Sequence, residues 1–563
     1  MTDPATPIIP GTTPTPPDAP RSDLHELLTA LAGDLRNVGY TVDGVAALLG
    51  ESAHTALARD QLIPALIVTD PAALKGDSTT DRAKAALAVV VRLWLLAVPQ
   101  TEDDVDAALP GIRTSGLVVL GLVEKNDAGA VAAKVDVRPY GWEGDSGAGN
   151  SGSGGAELWV ASDLAAHQRP GVLRHDHVLG IGQASTTLVQ TTIRRHSKRA
   201  LDLGTGCGIQ TFHLLHHSDH VTATDISERA LAFTRFNLML NAEALHLDPA
   251  DLESRVSLRL GSLLEPVAGE TFDLVVSNPP FVITPRSAGE HASEQFTYRD
   301  GGLPGDDIVA TLVRTLPDVL APGGTAQMLG NWEITAGTGW SERPASWLTG
   351  SGTEAWFIQR EQVSPELYAE TWLQDASEGR DRKLYRDAYV AYLEDFASRN
   401  VESIGFGMIW LRRPADGAVD AGTVRKEARR RFEEITYPIE QPIGPHLAAA
   451  VERADWLDTH ELADAHLVVA EDVTEERHQR PGAEHPGVIL LRQGAGLRRT
   501  NLLSTELAGF ASACDGELSV RQLVGALAAL LGGGEDFDDE AFRAGLLDDV
   551  ANLVRDGFLQ AAG

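Results

Sequence analysis

The sequence predicts an α/β fold, with an open parallel sheet in its middle third and a helical, winged-helix-like module on either side. Three observations predict this. Short apolar strands alternate with helices between about residues 200 and 330, the pattern of a parallel sheet covered on both faces. The first of these strands runs directly into a glycine-rich turn and then a helical stretch. On both flanks, clusters of helices accompany short strands, over about 22–165 and again over the last 85 or so residues.

The elements follow in order. Residues 1–20 contain seven prolines among Thr, Ala and Asp, a composition that cannot bury a core and predicts a disordered tail. Leu24, Leu27, Leu28 and Leu31 share one helical face, and Leu87–Leu96 reads as a buried helix. Thr101–Leu109 is a helix with Thr101 as cap and acids in its first turn. Gly116–Leu122 is an apolar strand or helix. Val131–Tyr140 and Leu158–Ser162 read as strands, joined by a flexible Gly/Ser loop at Gly144–Gly155.

In the middle third, Ala200–Leu203, His220–Asp225, Val256–Leu260, Phe272–Ser277 and Thr325–Leu329 read as strands. Ser227–Leu240, with Ser227 as N-cap, and Asp306–Leu320 read as helices between them. Glu354–Arg360 and Ser403–Leu411 are two further strands, separated by a long helical region, Pro365–Asn400. The C-terminal end carries a strand at Val488–Arg492. Helices follow at Ser504–Ala513, Ser519–Leu531 and Phe542–Leu559, with turns at Asp515-Gly516 and Gly532–Asp536. The expected partition is a tail at 1–21, an N-terminal module at 22–165, a central domain at 166–415 and a C-terminal module at 416–563.

Composition narrows the class. The 563 residues are 43% hydrophobic and 23% charged, ordinary for a globular chain of several domains. With 47 Lys+Arg against 80 Asp+Glu the net charge is −33, which counts against a surface that grips phosphate backbones throughout, though not against a local basic patch. Two cysteines, Cys207 and Cys514, exclude a disulfide framework and any multi-cysteine zinc site. The longest apolar run, Leu87–Val98, is interrupted by Arg92 and is too short for a bilayer; no secretory signal is visible. The expectation is a cytoplasmic protein without membrane partners.

The most informative segment is Ala200-Leu201-Asp202-Leu203-Gly204-Thr205-Gly206-Cys207-Gly208. Three glycines at alternate positions let the backbone approach a ligand closely. The helix that follows adds polarised N–H groups. Asp225, at the end of the next strand and 17 residues after Gly208, offers a carboxylate that can accept both ribose hydroxyls of a nucleoside. The spacing is G-x-G-x-G rather than the dinucleotide G-x-G-x-x-G.

Here the sequence resembles the S-adenosylmethionine-dependent methyltransferases of the Rossmann-like class, over about residues 175–415. The resemblance implies a seven-stranded Rossmann-like sheet and S-adenosylmethionine as cofactor. It implies that Asp202 faces the methionine amino group, Asp225 holds the ribose, and Ser262 stands at the adenine position where an Asp is common. The candidate cofactor residues are Asp202, Gly204, Thr205, Gly206, Gly208, Asp225, Ile226, Ser262 and Asn278.

The second signal is Ser277-Asn278-Pro279-Pro280-Phe281 at the end of the strand Phe272–Ser277. Two prolines fix the backbone and remove two donors. The Pro279 carbonyl and the Asn278 amide oxygen are left as acceptors for the two hydrogens of a planar –NH2 group, while Phe281 offers an apolar stacking face. An amide or exocyclic amine is a poor nucleophile because its lone pair is delocalised. Acceptors placed here favour the rehybridised nitrogen and its developing positive charge. Asn278, Pro279, Pro280 and Phe281 are therefore the candidate catalytic residues, and no general base is assigned.

The N-P-P-F element is similar to that of N-methyltransferases acting on glutamine, adenine or guanine nitrogens. With Tyr298-Arg299-Asp300-Gly301-Gly302, Gly305-Asp306, a helix and Pro322-Gly323-Gly324 downstream, it resembles the release-factor glutamine methyltransferases of HemK type. Phe281 stands where Tyr is more usual, and the two flanking modules depart from that family. The resemblance implies a macromolecular substrate, protein ahead of nucleic acid, and association with the ribosome or translation factors. Guanine-specific ribosomal RNA methyltransferases also carry N-P-P-F. A non-catalytic cofactor-binding protein is the third alternative.

Other signals are weaker. Gly180–Thr187, with Thr186 and Thr187, lies where such enzymes close over the methionine end, or forms a loop-to-helix cap. His213, His216, His217 and His220 have helical metal-pair spacing, but no acid or cysteine completes a pair, so no metal is assigned. Arg425, Lys426, Arg429, Arg430 and Arg431 form a basic run, read as a helix with a solvated face or a phosphate contact. Trp332 either lines the pocket or belongs to the core.

Overall fold

A computed structural model describes residues 16, 18–74, 76, 78–142, 156–169, 174–285, 302–375, 382–415, 428–532 and 537–562. Most of the proline-rich tail, the Gly144–Gly155 loop, Tyr298–Gly301, Arg425 and Lys426 lie outside the described residues. The chain divides into two compact units, one of Met1–Leu188 with His196–Glu434, the other of Val189–Arg195 with Ile435–Gly563.

The first unit holds the sheet. We number its strands β1 Ser197–Leu203, β2 Ser218–Asp225, β3 Val256–Leu260, β4 Phe272–Ser277, β5 Leu320–Thr335, β6 Glu354–Val363, β7 Val401–Arg412 and β8 Arg430–Glu434. Their order across the sheet is β8-β6-β7-β5-β4-β1-β2-β3. β7 runs antiparallel to both β5 and β6, and the other pairs are parallel. This is a Rossmann-like α/β sheet of the class seen in methyltransferases, with a reversal of strand order beside β1 that opens a crevice at the strand ends.

The expected seven strands are eight. The eighth comes from the basic run, whose Arg430 and Arg431 lie on an edge strand rather than a helix. The reason is Phe432. At strand parity its ring stacks on Phe357 of β6, with centroids 5.4 Å apart, at the margin of the sheet core. Burial of one aromatic outweighs the helical spacing of the arginines. Arg429 pairs with Glu354, and Arg431 with Glu433 while covering Trp356.

Leu201, Val275, Ala326 and Met328 of the strands pack against Ile308, Val309, Leu312 and Val313 of the helix Asp307–Thr315, all essentially buried. The helix Glu228–Leu240 starts where expected, with the Ser227 hydroxyl accepting from Ala230 N–H. Trp332 resolves as core: it is fully buried, stacked on Trp340, and donates its indole N–H to Gln359 Oε1 at 2.9 Å.

The same unit carries the N-terminal helical module, His25–Asn37, Val42–Leu57, Ile63–Val68, Thr79–Trp94, Glu102–Ala108 and Arg113–Leu120. The ambiguous Gly116–Leu122 segment belongs to the last of these helices, which ends on Gly121 in the left-handed conformation. A hairpin, Val135–Trp142 with Ala156–Asp163, follows. Its edge is held to Glu228–Leu240 by side chains that supply missing ladder bonds. Asn237 Oδ1 accepts from Ala161 N–H and Asn241 Oδ1 from Trp159 N–H, while Arg229 pairs with the buried Asp163 at 2.7 Å.

The second unit is also a helical module. Helices Gly444–Thr459, Thr505–Ser512, Val520–Leu531 and Asp539–Asp556 surround a core that includes Leu507, Phe510, Leu523, Val550, Leu553 and Phe558, with two three-stranded sheets. Ser519 caps its helix as its position predicts, and Ser504 caps the helix before it.

Candidate active site

The two motifs emerge side by side. β1 and β4 are neighbours, and their last paired residues are Leu203 and Ser277. Ser277 Oγ donates to the Leu203 carbonyl at 2.8 Å, stitching the strand ends together. Gly204 of the turn and Asn278 of the tetrapeptide are therefore the next residue on each chain.

The turn is built by its glycines. Gly204, Gly206 and Gly208 have φ of 78°, 59° and 94°, a backbone region costly for other residues. A Cβ on Gly204 or Gly206 would meet nothing within 4 Å, so the turn borders open space that a ligand can fill. Gly204 and Thr205 N–H both donate to the Thr224 carbonyl at 2.9 Å, anchoring the turn to β2. Cys207 is buried there, and burial pushes its thiol up to about 12, so it is a small neutral filler.

Asp202 is fully buried. Its Oδ2 accepts from Thr205 Oγ1 at 2.7 Å, Thr211 N at 2.9 Å and Thr211 Oγ1 at 2.6 Å. Its Oδ1 is buried with no hydrogen-bond partner. Burial pushes the carboxyl up to about 6 despite these bonds. A buried acceptor left over at the mouth of an open glycine turn suits a cationic amino group. Thr211 was not singled out from sequence; the only signal was a hydroxyl in the first turn of the helix after the glycines.

Asp225 ends β2. Its Oδ2 accepts from Gly206 N at 3.0 Å and its Oδ1 from Ser227 N at 2.9 Å. A carboxylate has about four acceptor positions, so two remain for a diol. Burial raises its pKa. Ile226 next to it is 60% exposed, and Leu260, paired with Asp225 across β2 and β3, is 49% exposed. These make an apolar shelf of the kind a nucleobase covers. Ser262 is half-buried just beyond, in a turn held by Gly261 N–H to the Asp225 carbonyl. The residues present thus fit a nucleoside cofactor with an amino-acid tail.

In the tetrapeptide, Pro279 is buried, and Asn278, Pro280 and Phe281 are half-buried, with Phe281 packed on the sheet core. Asn278 Oδ1 is buried without a hydrogen-bond partner. Thr186, within the helix Gln183–Thr191, donates its hydroxyl back to the Gly182 carbonyl at 3.2 Å. The four histidines do not share a helix: His213 is on Ile209–Leu214, bonded to Tyr140 Oη, and His220 is on β2, bonded to Ser257 Oγ. No group of three or more metal-ligating side chains is gathered among the described residues.

The profile of the methyltransferase small domain matches residues 163–297. A domain of unknown function (DUF7059) matches residues 37–134. The chain is 30% identical over 190 residues to a ribosomal protein uL3 glutamine methyltransferase of Bradyrhizobium diazoefficiens, covering 33% of this chain and 56% of that one. It is 32% identical over 165 residues to a release factor glutamine methyltransferase of Geobacter sulfurreducens, covering 28% and 51%. It is 28% identical over 184 residues to the ribosomal RNA small subunit methyltransferase C of Alcanivorax borkumensis, covering 32% and 46%. The chain thus spans about half the length of the curated relatives it matches. The sheet order, the turn and the matched profile define the fold of the S-adenosylmethionine-dependent methyltransferases, related to the glutamine methyltransferases. No helix among the described residues is long and apolar enough to cross a membrane.

Proposed function

We infer that this protein is an S-adenosylmethionine-dependent N-methyltransferase acting on a planar amide or amine nitrogen, first of all a glutamine side chain in a protein. The observation that carries this reading is the unpartnered, buried Asn278 Oδ1 on the residue next to Ser277, which is bonded to the end of the strand bearing the glycine turn.

In this reading the glycine turn, Asp202 and Thr205 hold the amino-acid end of the cofactor, and Asp225, Ile226 and Ser262 hold its nucleoside. The bound cofactor supplies an electrophilic methyl group on a sulfonium. Asn278 Oδ1 and the Pro279 carbonyl accept the two hydrogens of the incoming –NH2, drawing density onto the nitrogen and turning its lone pair out of the π system. Phe281 packs against the flat face of the acceptor. Positioning and preorganised acceptors provide the rate; no base is required before transfer, the S–CH3 bond gives way to the new N–CH3 bond with a neutral thioether left behind, and the methylated nitrogen then loses its surplus proton to water.

The names of the two glutamine methyltransferases favour a protein substrate, as does the net charge of −33. A nucleic-acid base amine is the second reading, favoured by the likeness to the ribosomal RNA methyltransferase. The flanking helical modules, read as winged-helix-like, select the substrate. The test is transfer of a labelled methyl group from cofactor into a cell extract, followed by protease or nuclease. Label released by protease supports the glutamine reading; label released only by nuclease overturns it in favour of the base.

A further inference from the structure

β5 is the longest strand of the sheet and outruns β4. Its last pairing with β4 is Met328 with Ser277, yet it continues to Thr335 along β7. The overhang carries Asn331 and Glu333. By strand alternation these lie on the face of Gln327, whose partner on β4 is Val276. That is also the face which Asn278, two residues after Val276, continues.

The chain between β6 and β7 is not a short connection. It forms two helices, Pro365–Asp375 and Arg382–Ser398, that pack on β7 where β7 pairs with this overhang. Tyr368, Leu373, Tyr392 and Phe396 of the helices bury against Ile404 of β7 and against Ile283, which lies five residues after Asn278. Arg399, just after the second helix, pairs with the buried Glu333 at 2.7 Å.

One side chain joins these parts. Tyr368 Oη accepts from Ile283 N–H at 2.8 Å and from Asn331 Nδ2 at 3.1 Å. Tyr368, Asn331 and Ile283 are all 1% exposed or less. The tyrosine ring is fixed between Phe396, edge-on at 5.5 Å, and Phe406, stacked at 5.7 Å. Pro279 and Pro280 have no N–H, so ladder bonds cannot hold the chain after β4 at those residues. Tyr368 supplies the missing restraint from outside. The Asn331 amide is spent on it at one end only, since its Oδ1 is buried without a partner.

We propose that Tyr368 and Asn331 are positioning residues for methyl transfer: through the Ile283 amide they fix the strand end that presents Asn278, so the helical insert after β6 sets the angle at which the acceptor nitrogen meets the methyl group. This rests on the methyltransferase reading above. Sub-ångström placement of the reacting groups governs such a transfer, so loosening the strand end slows the chemical step while leaving the glycine turn, Asp202 and Asp225 in place.

The experiment uses the full chain carrying Tyr368→Phe, which keeps the ring packing and removes the hydroxyl. Asn331→Leu serves as a second variant that leaves Tyr368 in place. Three readouts are taken: hydrogen exchange at Ile283, affinity for S-adenosylhomocysteine, and the maximal rate and half-saturation for labelled methyl transfer into cell-extract protein and RNA. The expected result for Tyr368→Phe is loss of Ile283 protection, unchanged affinity, and a maximal rate down about tenfold or more with little change in half-saturation. Asn331→Leu should fall in the same direction by less. An unchanged maximal rate, an unchanged Ile283 amide, or an equal loss of cofactor affinity overturns the proposal while leaving the methyltransferase reading intact. Absence of transfer by the parent protein overturns that reading and this one together.

Discussion

Lowering the pH through 6 should release the cofactor, because of one carboxyl group. Asp202 is fully buried, and burial lifts its pKa from 3.8 to about 6, with the neighbouring Asp225 adding to the shift. Its three hydrogen bonds from Thr205 and Thr211 oppose the rise without cancelling it. Between about pH 4 and pH 6 the folded chain therefore holds a proton that the unfolded chain has lost. Stability from this group is fully present below about pH 4 and declines as pH rises through 6, by about 3 kcal/mol in all. Cofactor binding has the opposite sign. An ammonium group needs the ionised carboxylate, so affinity should level off above about pH 6 and fall tenfold per pH unit below it. Calorimetric titration with S-adenosylhomocysteine should then give a dissociation constant about tenfold weaker at pH 5 than on the plateau. Asp202→Asn should lower the plateau and remove the slope. Equal affinity at the two pH values would refute the assignment of Asp202 to the amino group.

Three further outcomes are expected. Asn278→Ala should keep cofactor affinity and lose methyl transfer by about a hundredfold or more, read as single-turnover rate at saturating cofactor. Asp225→Ala should weaken S-adenosylhomocysteine by about tenfold or more in the same titration, because it removes the diol acceptor and frees the Gly206 and Ser227 amides it restrains. Arg229→Ala should leave Asp163 buried without its bidentate partner and cost about 3–5 kcal/mol in urea unfolding. Arg229→Ala combined with Asp163→Ala should recover part of that loss, and a purely additive double variant would show the pair to be uncoupled.

Local sequence carried the catalytic fold because its signals are short-range. The apolar run at Phe272–Ser277 is a strand in the structure with the expected limits. The glycines of the turn adopt the positive φ that their absence of a side chain permits. The helical spacing of the charges does not hold at Arg430 and Arg431, because Phe432 beside them has a partner, Phe357, 75 residues upstream. β5, expected over Thr325–Leu329, runs on to Thr335 because β7 pairs with it from Thr325 to Thr335, and it starts at Leu320 because that residue pairs with Phe272 of β4; no pattern within the strand announces either partner. No local pattern marks Thr211 either, since its role lies in meeting Asp202 across the turn.

The sequence by itself determined the strand, the glycine turn, the acid after it and the rigid tetrapeptide, because each rests on φ/ψ preferences, missing N–H groups and apolar runs only a few residues long. Only the tertiary structure decided that Leu203 and Ser277 are bonded neighbours, that Asp202 and Asn278 each keep a buried oxygen unpaired, and that Tyr368 reaches back 85 residues to Ile283. Those facts depend on which strands the sheet sets side by side, and strand order is fixed by the burial of whole faces rather than by any local run of residues.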